Sequence, residues 1–312
     1  TSISVVIPVY NCETTIKKTI DSVLAQENID FEVIIVDDGS TDRSAEIITE
    51  YDDARIRYFY QENSGISSAL NYGISKSNAA FVARIDGDDV ALPNRFKKQY
   101  DVLKSNTQVC LVGTAVDYIS SKEAVIGRTF PYVFRFSASK ILLRQNLFAH
   151  PSVMFRKDIF IRAGGYPNEL SGICEDYYLW TRMIKFGEMI NLSESLTQYR
   201  ISEGQITDWV PSKEYYSLIR KIIACNFIDS GLVSKLKETK ENDKKANAIN
   251  SKTIKFKREQ AIKNNLFNRF YCYLIKYKIP KYHAAKYICI IKSMIVYIRQ
   301  DRKSTRLNSS HG

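Results

Sequence analysis

Residues Ile3–Val9 form a near-continuous β-branched run, the pattern of a strand buried on both faces of a parallel sheet. Pro8 cannot donate to a ladder, so the strand is expected to finish there. Asn11 is the expected N-cap of a helix over residues 13–26, in which Ile16, Ile20, Val23 and Leu24 share one face. Residues 31–36 read as a second buried strand, closing on Asp37-Asp38-Gly39-Ser40-Thr41-Asp42. A helix to about residue 51, a third strand at 56–60 and a third helix at 65–75 follow. Residues 81–85 are the fourth strand, ending in Asp86-Gly87-Asp88-Asp89, and Pro93 sits where the first turn of a helix running to about residue 105 tolerates it. This alternation predicts an α/β chain with a mostly parallel, doubly wound sheet. Ligands in such sheets bind beyond the carboxyl ends of the strands. The turns at 8–11, 37–42 and 86–89 all fall at those ends and gather carboxylates at one rim.

The second half is less regular. Strands are predicted at 109–113, 125–129, 152–155 and 190–200, with a forced turn at Gly164-Gly165-Tyr166-Pro167. Glu175-Asp176 opens a helix over 177–185, where first-turn acids suit the positive end of the dipole. Beyond about Pro211 the character changes to Lys-rich helical segments. Residues 235–257 are polar and expected to be mobile, and residues 266–300 mix Tyr, Phe, Ile and Lys without a clean membrane span.

Charge sharpens this division. Of the 312 residues, with net charge +11, residues 1–212 hold 22 Lys+Arg against 27 Asp+Glu, whereas residues 213–300 hold 20 against 6. A mildly acidic body carrying a basic tail suggests that the tail meets an anionic surface, lipid or nucleic acid, while the body does other work. The organisation expected is a body over 1–210, divided near residue 105, then a basic, mainly helical region over 211–300. Residues 301–312 resemble the translation of a sequencing-adapter oligonucleotide and are left out of fold reasoning. The opening at Thr1 without Met leads us to expect a fragment. The six cysteines (Cys12, Cys110, Cys174, Cys225, Cys272 and Cys289) have no CxxC spacing and read as free thiols of a reducing compartment. No signal-peptide pattern is present and no apolar run reaches the roughly 20 residues that span a bilayer. A cytoplasmic location, with peripheral attachment to the inner face of the membrane through the tail, is therefore expected.

The candidate chemistry centres on the 86–89 tetrad. Three carboxylates within four residues repel one another unless a cation or a donor-rich partner compensates them. Hard divalent cations take oxygen ligands, and Mg²⁺ commonly holds a diphosphate through one or two protein carboxylates. On its own the tetrad also reads as a solvated acidic turn.

Several ordered motifs narrow that choice. Ser4-Val5-Val6-Ile7-Pro8-Val9-Tyr10-Asn11, Val36-Asp37-Asp38-Gly39-Ser40-Thr41-Asp42, the set Asn63, Gly65, Ala69 and Asn71, Asp86-Gly87-Asp88-Asp89 with Pro93, and Glu175-Asp176-Tyr177 with Leu179-Trp180 follow one another along residues 1–205. In order and spacing they resemble the family-2 glycosyltransferases, inverting enzymes with the GT-A (nucleotide-diphospho-sugar transferase) fold. The resemblance implies a UDP-sugar donor, a saccharide or lipid-linked acceptor, Mn²⁺ or Mg²⁺ as cofactor, a role in surface polysaccharide synthesis, and no nucleic-acid partner.

It also implies roles for residues. Asp38 would accept the uracil N3–H, with an Asx-turn role as the plain alternative. Pro8 and Tyr10 would wall the base, or serve as a strand-end proline and a core tyrosine. Asn11, Asn63, Gly65 and Asn71 fall in the donor-binding motifs. Asp88 would ligate the metal, Asp86 would support it or contact the ribose, and Asp89 has the best claim to a loop or capping role. Asp176 would be the general base and Glu175 would orient the base or the acceptor. His150 and Trp180 sit on the acceptor side; the histidine also suits a strand cap. Arg200 after Tyr199 would clamp the diphosphate, while Ser202 stands where many members carry a metal-binding His.

Two other classes share parts of this pattern. A signalling receiver domain has an acidic pair and a later Asp at strand ends, but here a full strand and helix precede the pair. A sugar nucleotidyltransferase needs a Gly-rich loop after the first strand, and Pro8-Val9-Tyr10-Asn11 is not one. The tail 266–300, with Phe267, Phe270, Tyr271, Tyr273, Tyr277, Tyr282 and Tyr287 among lysines, suits either a membrane interface or a packed helical subdomain.

Overall fold

The computed structural model describes residues 1–129, 142, 146–201, 212–225 and 228–248. The first half alternates strand and helix: β1 (Ile3–Val9), α1 (Ile16–Leu24), β2 (Phe31–Asp38), α2 (Ser44–Thr49), β3 (Ile56–Gln61), α3 (Ile66–Ser75) and β4 (Phe81–Arg84). Then come β5 (Val90–Ala91), α4 (Arg95–Ser105), β6 (Val109–Ser120), β7 (Val125–Arg128), β8 (Met154–Arg156) and α5 (Lys157–Arg162). The described chain closes with α6 (Glu175–Met183), β9 (Glu188–Ile201), α7 (Lys213–Ala224) and α8 (Ser230–Ala248).

The described strands join in one sheet, ordered β3-β2-β1-β4-β8-β6-β9-β5, with β7 on the flank of β6. β1 to β4 run parallel, and β6 and β9 are parallel to each other, whereas β8, β7 and β5 pair antiparallel with their neighbours. The sheet is thus mostly parallel and the fold is GT-A-like.

Side chains of a strand alternate between faces, so a strand covered on both sides reads as continuously apolar. Val6 of β1 packs with Ile34, Val36 and the α3 residues Ala69, Leu70 and Ile74. Ile3, Val5, Ile7 and Val9 pack on the other face with Ile16, Ile20 and Val23 of α1 and Phe96 of α4. The β1–β4 pairing ends at Val6↔Arg84, and the Ile85 N–H still reaches the Val6 carbonyl at 3.3 Å. Pro8, two residues on, faces the same side, where β4 has ended. Its missing donor therefore costs no ladder bond, and β1 runs one residue beyond it. The parting of β1 and β4 there opens the crevice at the strand ends.

Four expectations change. Asn11 has a left-handed backbone (φ 51°), and α1 begins only at Ile16 without a side-chain cap; Asn11 Oδ1 instead accepts the Thr41 N–H at 2.8 Å. β6 continues to Ser120, because β9 pairs along its full length. β5 and α5 were not anticipated. Residues 235–248, part of the stretch expected to be mobile, lie in the helix α8: Val233 and Leu236 enter the core while Lys235, Lys237 and Lys245 are exposed.

The change of character at Pro211 is not a break in packing. Tyr215, Leu218, Ile219 and Ile222 of α7 share one apolar cluster with Leu179, Trp180 and Met183 of α6. Ser212 caps α7 by accepting the Tyr215 N–H at 3.1 Å. Residues of α7 and α8 therefore pack into the same apolar cluster as α6. Ser202, the 266–300 stretch and the 301–312 segment lie outside the described residues. No helix among the described residues is long and apolar enough to cross a membrane, and the four described cysteines are free.

Candidate active site

Beyond β4, Asp86, Asp88 and Asp89 bring carboxylate oxygens within 4.8 Å of one another. The start of α1 holds this loop: Thr15, just before the helix, donates to the Gly87 carbonyl at 3.0 Å and Thr19 of α1 to the Asp89 carbonyl at 2.8 Å. Arg200 at the end of β9 holds it from the side. Its N–H donates to Asp89 Oδ1 at 2.8 Å and its Nε to the Asp88 carbonyl at 2.9 Å. Glu123 and the Ser120 carbonyl lie against the same guanidinium. With these protein acceptors and only 5% exposure, Arg200 braces the acidic loop.

Asp89 is neither a solvated loop residue nor a helix cap. It is 1% exposed, and its Oδ2 has no hydrogen-bond partner. Burial, and then the charges of Asp88 and Asp86, push its pKa well above the usual carboxylate range. An orphaned buried oxygen beside two more carboxylates is an all-oxygen donor set, which suits a hard divalent cation.

The cation already present is Arg84. It is 1% exposed, pairs with Asp86 Oδ1, and leaves Nε and Nη1 unpartnered. Burial opposes its charge, but Asp86, Tyr166 and Asp89 outweigh that effect and raise its pKa. Its field also favours the ionised forms of Glu175 and Asp176. One buried guanidinium thus serves both ends of the site.

At the end of β2, Asp37 is spent on the fold, accepting the Ser40 N–H at 2.8 Å and the Tyr58 hydroxyl at 2.9 Å. Asp38 accepts from Gln61 Nε2 at 2.6 Å and from the backbone N–H groups of Ser64 and Gly65, each at 2.9 Å. Three of a carboxylate's roughly four acceptor positions are filled, leaving one for a ligand donor. Gly65 is required here: its φ is +86°, and a Cβ would lie 2.8 Å from Ser171 Oγ. Tyr10 is 51% exposed beside this end, whereas Pro8 is buried in β1. Asn63 is exposed and packs its backbone over Gly39. Asn71 is drawn away from the donor end. Its amide grips the Tyr166 backbone, donating to the carbonyl at 2.8 Å and accepting the N–H at 3.0 Å.

The acidic pair opens α6. Asp176 Oδ1 accepts the Tyr177 N–H at 2.6 Å and Oδ2 accepts from Asn146 Nδ2 at 2.7 Å. Glu175 has one such donor, the Ile173 N–H at 3.1 Å. Burial, and then the neighbouring Asp176, push the Glu175 pKa up to about 7. Burial also raises Asp176, against which the Tyr177 N–H and Asn146 act. Two adjacent buried carboxyls do not both ionise easily, so the proton resides on Glu175 and the charge on Asp176.

His150 shares a hydrogen bond with the Tyr166 hydroxyl at 3.0 Å. Burial, and then Arg84, hold its pKa well below the usual value, so the imidazole is neutral and its 3.9 Å approach to Glu175 is not an ion pair. Trp180 is fully buried, with its ring edge-on to His150 and Tyr166 at 5.9 and 6.2 Å. It packs against the two rings that face the acidic pair's side of the site. Sequence reasoning missed Arg84, Asn146 and Tyr166. Arg84 alone left a signal, a charge inside an apolar strand.

A family model described as Glycosyl transferase family 2 matches residues 4–164. The O-antigen biosynthesis glycosyltransferase WbnJ of Escherichia coli is 36% identical over 206 residues, covering 64% of this chain and 79% of WbnJ. The uncharacterized glycosyltransferase EpsJ of Bacillus subtilis is 31% identical over 227 residues, covering 68% of this chain and 64% of EpsJ. A longer uncharacterized glycosyltransferase of Rickettsia felis is 31% identical, with 36% of its length covered. Among solved structures, S. aureus TarS 1-349 in complex with UDP-GlcNAc superposes with a TM-score of 0.57 at 17% identity, covering 77% of this chain and 72% of that one.

Proposed function

The chain belongs to glycosyl transferase family 2, and from that premise we propose an inverting, metal-dependent transfer of a hexose or N-acetylhexosamine from a UDP-sugar. The acceptor is a saccharide or a lipid-linked saccharide of cell-surface polysaccharide synthesis, as the WbnJ relationship supports. The receiver-domain and nucleotidyltransferase readings fall away with the family. The observation that supports the proposal is Arg84, which pairs with Asp86 and whose field reaches Glu175 and Asp176, with Asp38 at the end of β2, the strand on the other side of β1.

Asp38 accepts the uracil N3–H through its remaining lone pair, and Tyr10 covers the base. Asp88 and Asp86, beside the buried Asp89, would hold Mn²⁺ or Mg²⁺. Such a cation would neutralise charge on the diphosphate. Asp176 accepts the proton of the acceptor hydroxyl as that oxygen bonds to C1 and the C1–O bond to UDP breaks on the opposite face. Asn146 and the Tyr177 N–H keep Asp176 ionised for this step. Glu175 and His150 line the acceptor side. The basic tail, with 20 Lys+Arg against 6 Asp+Glu in residues 213–300, brings the enzyme to anionic lipid at the inner face of the membrane.

Two measurements check these assignments. A screen of nucleotide sugars, reading UDP release with and without Mn²⁺, is expected to give release only with a UDP-sugar and the metal. In calorimetry, Asp88→Asn is expected to weaken Mn²⁺-dependent UDP binding by at least about tenfold; undiminished binding removes Asp88 as a ligand. For pH, Glu175 takes up the first proton of the pair near 7 and leaves Asp176 ionised, so the acid limb of kcat/KM is set by the second proton, on Asp176, below pH 7. Activity is expected to fall as that second proton binds. The sign for stability is opposite. A carboxyl raised above its ordinary 4.5 takes up a proton on folding, so its contribution to stability is lost as pH rises through about 7. Acid inactivation below pH 7 is therefore expected without unfolding, and a coincident circular-dichroism transition would contradict it.

A further inference from the structure

The turn that delivers Glu175 and Asp176 is held from two directions. On one side Ser171 Oγ accepts the Ser67 N–H at 3.1 Å, fastening the turn to the start of α3. On the other, Lys240 Nζ donates to the Gly172 carbonyl at 2.6 Å. Gly172 has φ +66°, a conformation that turns its carbonyl away from helical bonding and leaves it in need of a donor. The N–H of that same peptide, on Ile173, is shared between the Leu170 carbonyl at 3.0 Å and Glu175 Oε2 at 3.1 Å, so the peptide unit that Lys240 grips is the one that orients Glu175.

Lys240 comes from α8, well beyond the family match that ends at residue 164, in the Lys-rich segment that sequence assigns to a separate region. From this geometry we infer that Lys240 is a positioning residue for the catalytic pair: α8 completes the active site by clamping the Gly172 peptide and placing a cation behind Glu175. The inference rests on the proposed role of Glu175-Asp176.

The electrostatics agree with the geometry. Burial, and then Lys244, lower the Lys240 pKa, while Glu175 acts in the opposite sense. Partial burial keeps the Lys240–Glu175 attraction from being screened away. Other groups acting on Glu175 are Asp176 on its own helix and Arg84 of β4. His150 lies 3.9 Å from its carboxylate. Cys174, Tyr166 of the Gly-rich turn and Tyr215 of α7 feel its charge. Among these, Arg84 is the other permanent cation. A cation favours the ionised carboxylate, so its removal moves the Glu175 pKa upward.

The test uses the full chain with Lys240→Met, which keeps length and helix propensity, and Lys240→Arg, which restores a donor. By amide hydrogen exchange, Ile173 in Lys240→Met is expected to exchange about 10-fold faster, while amides of β1 stay unchanged. By carboxyl NMR, Glu175 is expected to titrate at higher pH. Lys240→Arg is expected to restore both. Wild-type exchange at Ile173 and wild-type titration of Glu175 in Lys240→Met overturn the inference. A uniform rise that includes the β1 amides assigns Lys240 to general stability and overturns it as well. Neither readout needs a donor sugar, so the outcome is separable from the base assignment, which Asp176→Asn decides on its own. With the UDP-sugar identified by the screen, Lys240→Met is expected to lower kcat while the donor KM is unchanged.

Discussion

Asp176→Asn is expected to lower kcat by about 10²- to 10⁴-fold while leaving UDP affinity within about twofold. The substitution is nearly isosteric, so what is lost is the base. Donor affinity depends on Asp38 and the 86–89 loop, which Asp176 does not touch. A small structural effect is also expected. The new amide group would place an N–H against Asn146 Nδ2, where Asp176 Oδ2 now accepts at 2.7 Å. Asn146 can turn its own amide to answer, but its Oδ1 accepts the Phe148 N–H, and that bond is then given up. Stability should fall by about 1 kcal/mol, the net worth of one such bond. UDP release with the best donor, together with calorimetry on the folded variant, separates these effects. Full transfer by folded Asp176→Asn would remove Asp176 from the role of base.

The same assignment separates Asp176 from Glu175. Glu175→Gln replaces the proton-holding carboxyl with a neutral group of the same shape, so the acid limb should still reflect Asp176 and stay close to that of the unsubstituted enzyme. Asp176→Asn should leave no interpretable limb. A pair whose environments push the two pKa values apart is the signature of divided roles, and here the division follows from two donors on Asp176 against one on Glu175.

Much of this was legible in the sequence for a physical reason. Strands covered on both faces read as unbroken apolar runs, so β1 to β4 were placed within a residue or two. The carboxylates stand where those runs stop. What was not legible depends on contacts between distant parts of the chain. Asn71 fits the donor motif, yet its amide closes on the Tyr166 backbone, 95 residues away. Trp180 follows the acidic pair, but no local pattern distinguishes a stacking face from the core position it occupies. The part of α8 from residue 235 was read as mobile within a mainly helical region because its apolar positions are sparse, with Val233 and Leu236 the buried ones among the described residues. Asn146 is one polar residue among many until the fold brings it to Asp176.

Arg84→Met is expected to lower the free energy of unfolding by about 3 kcal/mol, measured as a fall in the urea midpoint at unchanged slope. Methionine nearly keeps the length of the side chain, and Nε and Nη1 have no partners to lose. The loss is then the Asp86 pair and the field that reaches Glu175 and Asp176. Asp86 keeps 24% side-chain exposure, which places the effect at the lower end of the roughly 3–5 kcal/mol seen when one member of a buried pair is removed. The penalty lies in the carboxylate left behind, not in the missing arginine. Adding Asp86→Asn to Arg84→Met should therefore recover about 1–2 kcal/mol, a coupling a double-mutant cycle resolves. Strict additivity of the two substitutions would mean that Arg84 acts by packing alone. Wild-type stability in Arg84→Met would mean that its burial cost already cancels its attraction to Asp86, and that the carboxylates need no compensation from the protein.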